Sequence, residues 1–457
     1  MKKTIMRKYA KLAVQKGANL QKGQGCIVSA SVGEHEFAEM VVEEAYRAGA
    51  KWVRVDWIDQ AVTKLHYRHQ TITELSKVEE WEKAKMQHMV DNLPARIMIA
   101  SMDPDGMKGV NVEKMQKSNM ARGKVLKPYS DAIESKHQWT IVAVPSPKWA
   151  KKVFPKERTS TAVERLWAEI LSAVRVTEDN DPVAEWSAHN KRLREKCEKL
   201  NSLDLEHLHY TAPNGTDFTC WLIPGSRWVG GCEALQNGVE FNPNMPSEEV
   251  FTSPLRGKCE GRLIATLPLS YQGVLINSFS IDFKDGQAVA VHADEHQELL
   301  ERMIKMDEGA CMLGELALVP ADSPISNSGV LFYNTLFDEN AACHVALGRG
   351  FNETLNGFEN MSDDEIKEAG VNDSMIHVDF MIGCKELNIT GHTRDGRDVA
   401  IFRDGNWRGA TFSPWLVYGR KHAEEQHRRK RDGLFAQSNP GSKSCKNFSQ
   451  AQTEGGG

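Results

Sequence analysis

Six side chains able to bind a cation stand in apolar surroundings in the C-terminal half of the chain: Glu249, Glu315, Glu339, His344, His377 and Asp379. An ionised carboxylate is costly to bury unless something neutralises it, and for several acids together a metal ion is the simplest neutraliser. The densest piece runs Met375-Ile376-His377-Val378-Asp379-Phe380-Met381. Its β-leaning composition puts His377 and Asp379, two positions apart, on one face of a strand, where both reach one point. Taken alone, that pair also suits an acid that merely orients a core histidine. Glu315 is the one charge in Cys311-Met312-Leu313-Gly314-Glu315-Leu316-Ala317-Leu318-Val319-Pro320, and alone it could be an edge-strand glutamate facing water. Glu339 and His344 flank a short run of small residues ahead of Gly348 and Gly350, where the backbone can turn closely round something. Glu249 opens Val250-Phe251-Thr252, and its neighbour Glu248, pointing the other way, is expected to face water. Four acids and two imidazoles without cysteine suit zinc, cobalt or manganese. More carboxylates than one ion needs argue for two divalent metal ions sharing a bridge.

The elements that must position these groups follow from periodicity. Over the first 150 residues helical and extended patterns alternate: helices are expected over 6–16 and 36–48, and strands over 25–30, 51–57, 95–100 and 139–144. Such alternation argues an α/β N-terminal domain, a parallel sheet with covering helices. The pair Gly23 and Gly25 precedes its strand, where a dinucleotide fingerprint would follow one, so no nicotinamide site is expected. Helices over 161–174 and 183–200 form a bridge. After them come three hairpin signals, Asn214-Gly215, Asp285-Gly286 and Asp395-Gly396, with a helix expected over 295–306. These predict an α+β C-terminal domain with a largely antiparallel sheet, and all six candidate ligands belong to it. The expected units are 1–204, 205–412 and a tail over 413–457.

Four segments carry a resemblance: Met245-Pro246-Ser247-Glu248-Glu249-Val250-Phe251-Thr252-Ser253-Pro254, Gly314-Glu315-Leu316-Ala317-Leu318-Val319, the run over 337–348, and Ile376-His377-Val378-Asp379. In order and spacing, up to about residue 412, they resemble the active-site motifs of the aminopeptidase T, aminopeptidase S and PepS family of metallopeptidases. The resemblance implies a metal-dependent aminopeptidase that releases N-terminal amino acids from peptides through a water activated by two metals, in a closed cavity of a homodimer. It matches Glu249, Glu315, His344, His377 and Asp379 to the family's ligands and Glu339 to an acid at or beside the metals. Glu315 or Glu339 would be the catalytic proton carrier. The sequence departs from the pattern where the family usually has a tyrosine seven positions after the first histidine: here it reads His344-Val345-Ala346-Leu347-Gly348-Arg349-Gly350-Phe351. Losing one such donor commonly costs about a hundredfold to a thousandfold in turnover. Tyr333 could substitute. The alternative, favoured by Phe351, is a catalytically weakened or non-catalytic metal or small-molecule binding protein on the same scaffold. A dinuclear phosphoesterase would want several Asp-His or Asn-His elements, and only His377-Val378-Asp379 approaches one.

Composition fits a globular protein: 457 residues, 40% of them hydrophobic, supply real cores. A net charge of −5 gives no general pull on nucleic acid. Nine scattered cysteines with no C-x-x-C pair point to a reducing, cytoplasmic setting. Lysines interrupt the N-terminus where an apolar signal core would be needed, and no run is long enough to span a membrane. The basic run Arg428-Arg429-Lys430-Arg431 reads as a solvated tail, and the Asn-, Ser-, Gln- and Gly-rich stretch from Gln437 is expected to be disordered.

Overall fold

The computed structural model describes residues 1–271 and 274–409, so the tail expected over 413–457 lies outside the described residues. Four strands, Gly25–Ser31, Trp52–Ile58, Ala95–Ala100 and Trp139–Ala143, pair in parallel in the spatial order second, first, third, fourth. Parallel neighbours cannot be joined by a tight turn, so helices cross between them. One is His35–Arg47, whose Phe37, Val41, Glu44 and Ala45 recur at helical spacing and are buried. The core beneath is built on Tyr9, Phe37, Trp149, Trp167 and Trp186. Tyr9 is fully buried, and its hydroxyl donates to the carbonyl of Ala143 and accepts from the same residue's N–H, at 3.1 and 3.0 Å.

The bridging helices run over Thr159–Ala173 and Pro182–Asn201. The second starts where its local chemistry dictates: the Asp181 carboxylate caps the N–H of Val183, and Pro182 takes the first helical position. Beyond it lies an eight-stranded antiparallel sheet, beginning with Leu205–Thr211 and Asp217–Leu222 and ending with Asn388–Thr393, Asp398–Arg403 and Asn406–Trp407. The three expected hairpin turns each join a pair of its strands. The helix expected over 295–306 forms over Gln297–Met303; it starts late because His296 is held at a φ of 61°, a left-handed conformation no helix can continue through. No helix among the described residues is long and apolar enough to cross a membrane.

A separate four-stranded antiparallel sheet, in the order His377–Met381, His344–Gly348, Leu313–Leu318 and Val250–Thr252, carries the candidate ligands. Register explains how. Ala317 opposes both Phe251 and His344, Glu315 opposes Ala346, Ala346 opposes Asp379, and Gly348 opposes His377. Directly opposed residues share a face, so Glu315, His344, His377 and Asp379 project together, and Glu249, two before Phe251, joins them. The opposite face, with Val250, Leu316, Leu318, Val345, Leu347 and Phe380, enters the C-terminal core. A bulge between Leu313 and Glu315 turns Leu313 into that core while Glu315 faces the acids. Gly314 allows it, since a Cβ there would lie 2.2 Å from the carbonyl oxygen of Arg349.

The segment just before His344 belongs to the other core. Ile325, Phe332, Leu336 and Phe337 pack among the N-terminal aromatics, and the Trp149 indole donates to the Phe332 carbonyl at 2.6 Å. Besides any part in substrate access or dimer contacts, the N-terminal region therefore holds the turn Glu339–Ala341 in place.

Candidate metal centre

Two groups of three donors form on this face: Glu249, Glu315 and His344 in one, and Glu315, His377 and Asp379 in the other, with the donor atoms of each group within 4.8 Å of one another. The Nε2 of His344 lies 3.3 Å from Glu249 Oε2, and the Nε2 of His377 lies 3.2 Å from Glu315 Oε2 and 3.3 Å from Asp379 Oδ1. Five of the six sequence-derived residues thus converge. The sixth, Glu339, sits on the turn preceding His344 and lies outside both groups, although its charge is felt by the same acids and imidazole. The site is graded in depth: His344 and Glu315 are buried, whereas His377 stands at the solvent side.

Both imidazoles are oriented by backbone. His344 Nδ1 is 3.1 Å from the carbonyl of Ala342, and His377 Nδ1 is 2.7 Å from that of Arg349. A carbonyl only accepts, so each Nδ1 carries the proton and each Nε2 faces the acids. Gly348, at a φ of 102°, lets the backbone turn that supplies the Arg349 carbonyl.

Charge bookkeeping shows what the face lacks. Burial pushes Glu315 up to about 7, and burial together with Glu249 and Asp379 pushes Glu339 well above the usual carboxylate range. Burial opposes charge on His344, but Glu249, Glu315 and Asp379 outweigh it and raise the imidazole to about 10. For His377 burial is likewise outweighed, by Asp379 and Glu315, and the value rises to about 11. Asp379 falls below its ordinary range because His377 outweighs its burial. Without cations, protons supply the positive charge these acids demand. The buried Oδ1 of Asp379 has no well-aligned hydrogen bond and is approached only by the His377 Nε2 at 3.3 Å. Carboxylates with imidazole Nε2 atoms, an acid oxygen short of a well-aligned donor and no thiolate fit hard-to-borderline divalent ions.

One expectation is corrected. Glu248 does point away from Glu249, but into protein: it is 2% exposed, and the Nη2 of buried Arg175 lies 2.6 and 2.9 Å from its two oxygens. The opposite side of this segment is covered by the helix Pro182–Asn201, whose buried stripe includes Trp186, His189, Leu193 and Lys196. Polar residues within that apolar stripe were the legible signal that a buried charge waited there.

Phe351 packs its ring 4.9 Å from the His377 ring and 5.1 Å from that of Phe251, so the position that departs from the family pattern does touch the centre. Tyr333 lines a cleft that reaches Asp379, where Pro268, Leu269, Leu275, Leu331 and Met381 stand beside the polar Ser270, Asn334, Thr335 and Asp338. Asp338, in the same wall, accepts from the N–H groups of Phe332 and Asn334 and so holds the loop bearing Tyr333.

The model of the thermophilic metalloprotease (M29) family matches residues 2–407. The chain belongs to that family. Among its relatives, aminopeptidase AmpS of Bacillus subtilis is 43% identical over 400 residues, covering 87% of this chain and 97% of the relative. Aminopeptidase 2 of Geobacillus stearothermophilus is 41% identical, covering 88% and 97%. The fold matches the solved structure of wild-type AmpT from Thermus thermophilus with a TM-score of 0.82 at 38% identity, covering 89% of this chain and all of that one. This M29 member is thus a metallopeptidase-family enzyme, with the α/β and antiparallel halves expected from its sequence.

Proposed function

We propose that this M29 chain is an aminopeptidase that removes the first residue of a peptide with the help of two divalent ions, of the zinc, cobalt or manganese class. The observation that carries the reading is the pair of three-donor groups meeting at Glu315 on one sheet face. Glu249, Glu315 and His344 would hold one ion, and Glu315, His377 and Asp379 the other. When bound, such ions polarise the scissile carbonyl and make water nucleophilic near neutral pH.

The chain's own residues do the rest. Glu339, half-buried beside both groups and tied up by neither, takes the proton of the attacking water and passes it to the leaving amine. Glu315, shared by both groups, is the less mobile carboxylate. The substrate's free α-amine is drawn to the acid-rich centre, which restricts cleavage to chain ends. The wall of Leu269, Leu275, Leu331 and Met381 beside Asp379 suits an apolar first side chain. A division near 204/205, a homodimer and a cytoplasmic setting belong to the same proposal; they rest on the sequence pattern, the family resemblance and the cysteine usage.

The test is cleavage of aminoacyl anilides by metal-stripped protein, before and after adding zinc, cobalt or manganese. Activity restored by an ion supports the reading. Silence with every ion and every N-terminal residue would move it to a metal-binding protein that has lost its reaction.

A further inference from the structure

Directly behind the metal-facing acids lies a buried polar chain that the reaction does not use. Arg175, 7% exposed, ion-pairs with Glu248. The backbone N–H of Glu248 donates to Asn340 Oδ1 at 2.7 Å. Asn340 Nδ2 donates to the Leu336 carbonyl at 3.0 Å and reaches Glu339 Oε1 at 3.4 Å. Ser247, one residue earlier, accepts at its carbonyl from His189 Nε2 at 2.8 Å. Both ends of this chain are pinned. Arg175 adopts a φ of 57°, in the left-handed region few residues other than glycine occupy, and Asn180 donates to its carbonyl at 2.7 Å. At the other end the Ser323 hydroxyl donates to the Asn340 carbonyl at 3.2 Å.

We propose that Arg175, Glu248 and Asn340 form a positioning clamp that sets Glu249 for metal binding and, through the turn carrying Asn340, places Glu339 beside the metal-facing acids. Adjacent residues of an extended chain point to opposite sides, so anchoring Glu248 on one side fixes the direction of Glu249 on the other. Buried ion pairs are weak devices for stability, since apolar replacements of similar volume often serve as well. Their use here is geometric. The clamp joins three separate stretches, around residues 175, 248 and 340, at the point where two acid-bearing segments leave the N-terminal core. This inference rests on the two-ion reading above. It assigns to the clamp the ion of Glu249, Glu315 and His344, and leaves that of His377 and Asp379 independent of it.

The test is titration of metal-free protein with Co²⁺, followed by its visible absorption and by bound cobalt, with folding checked by circular dichroism. Wild type is expected to bind in two steps. In the double variant Arg175→Met/Glu248→Leu, which removes both members of the ion pair, one step should weaken roughly 10- to 100-fold, the range for partners that orient metal ligands, with the other nearly unchanged. Asn340→Ala should weaken the same step, and it carries the test if the double variant does not fold. Glu248→Gln, whose amide oxygen still accepts from Arg175, should restore most of the affinity. Folded variants whose two steps both match wild type, or weaken equally, overturn the clamp while leaving the two-ion reading standing. A wild type that takes up no Co²⁺ overturns both.

Discussion

Glu315 Oε2 lies 3.2 Å from the Nε2 of His377, while the same side chain completes a three-donor group with Glu249 and His344. No other residue of the two groups serves in both. Glu315→Gln should therefore lower occupancy of both ions together, by elemental analysis, and cut anilide turnover on the order of 100-fold or more. Loss of one ion with the other intact would deny Glu315 its shared place.

Glu339 is expected to behave differently. Glu339→Gln should keep both ions and still lose roughly 100- to 10,000-fold in kcat, as when a general acid–base group is removed. Parallel measurement of bound metal and kcat checks this, and an equal loss of both would make Glu339 a ligand.

Metal uptake should release protons. In the metal-free protein His344 is raised from 6.5 to about 10 and His377 to about 11, so both are charged at pH 7.5, and a cation needs them neutral. About two protons should leave on loading at that pH, read by calorimetry in buffers of different ionisation enthalpy, and affinity should rise with pH. The sign for stability follows from folded values that lie above the unfolded one. These imidazoles stabilise the metal-free protein fully below pH 6.5, and that contribution is lost as pH climbs through 10 to 11. Loading without proton release would contradict the charge state.

Phe351, in ring contact with His377, stands where the resemblance to the family leads one to expect a tyrosine. If the missing phenol limits the reaction, Phe351→Tyr should raise kcat, up to about a hundredfold, with little change in bound metal. If Tyr333 already substitutes, Tyr333→Phe should instead lower kcat while Phe351→Tyr does nothing. Steady-state kinetics of both variants separates these outcomes.

Much of this centre was legible because strands repeat every two residues: His377 and Asp379, or Glu315 against Leu316 and Leu318, declare a polar and an apolar side in the sequence itself. What lies behind the strand was not. Alternation correctly turned Glu248 away from Glu249 but could not say that Arg175, 73 positions earlier, waits on that side. Nor could it foresee the bulge at Gly314, which depends on the Arg349 carbonyl crossing close by. The parallel sheet was readable almost to the residue, since Trp52–Ile58 alternates and the other three strands are short runs rich in apolar residues. The helix start at Gln297 was not, because the left-handed His296 leaves no mark in composition.

The four ligand strands are greased on one side and electrified on the other. Val345, Leu347 and Phe380 glue them to the core, while the acids opposite push one another apart once cation and proton are both gone. Bound ions would then be mortar as well as reagent. In alkaline chelator this sheet should be the first part to fray, exposing its amides to exchange before the parallel sheet yields any of its own.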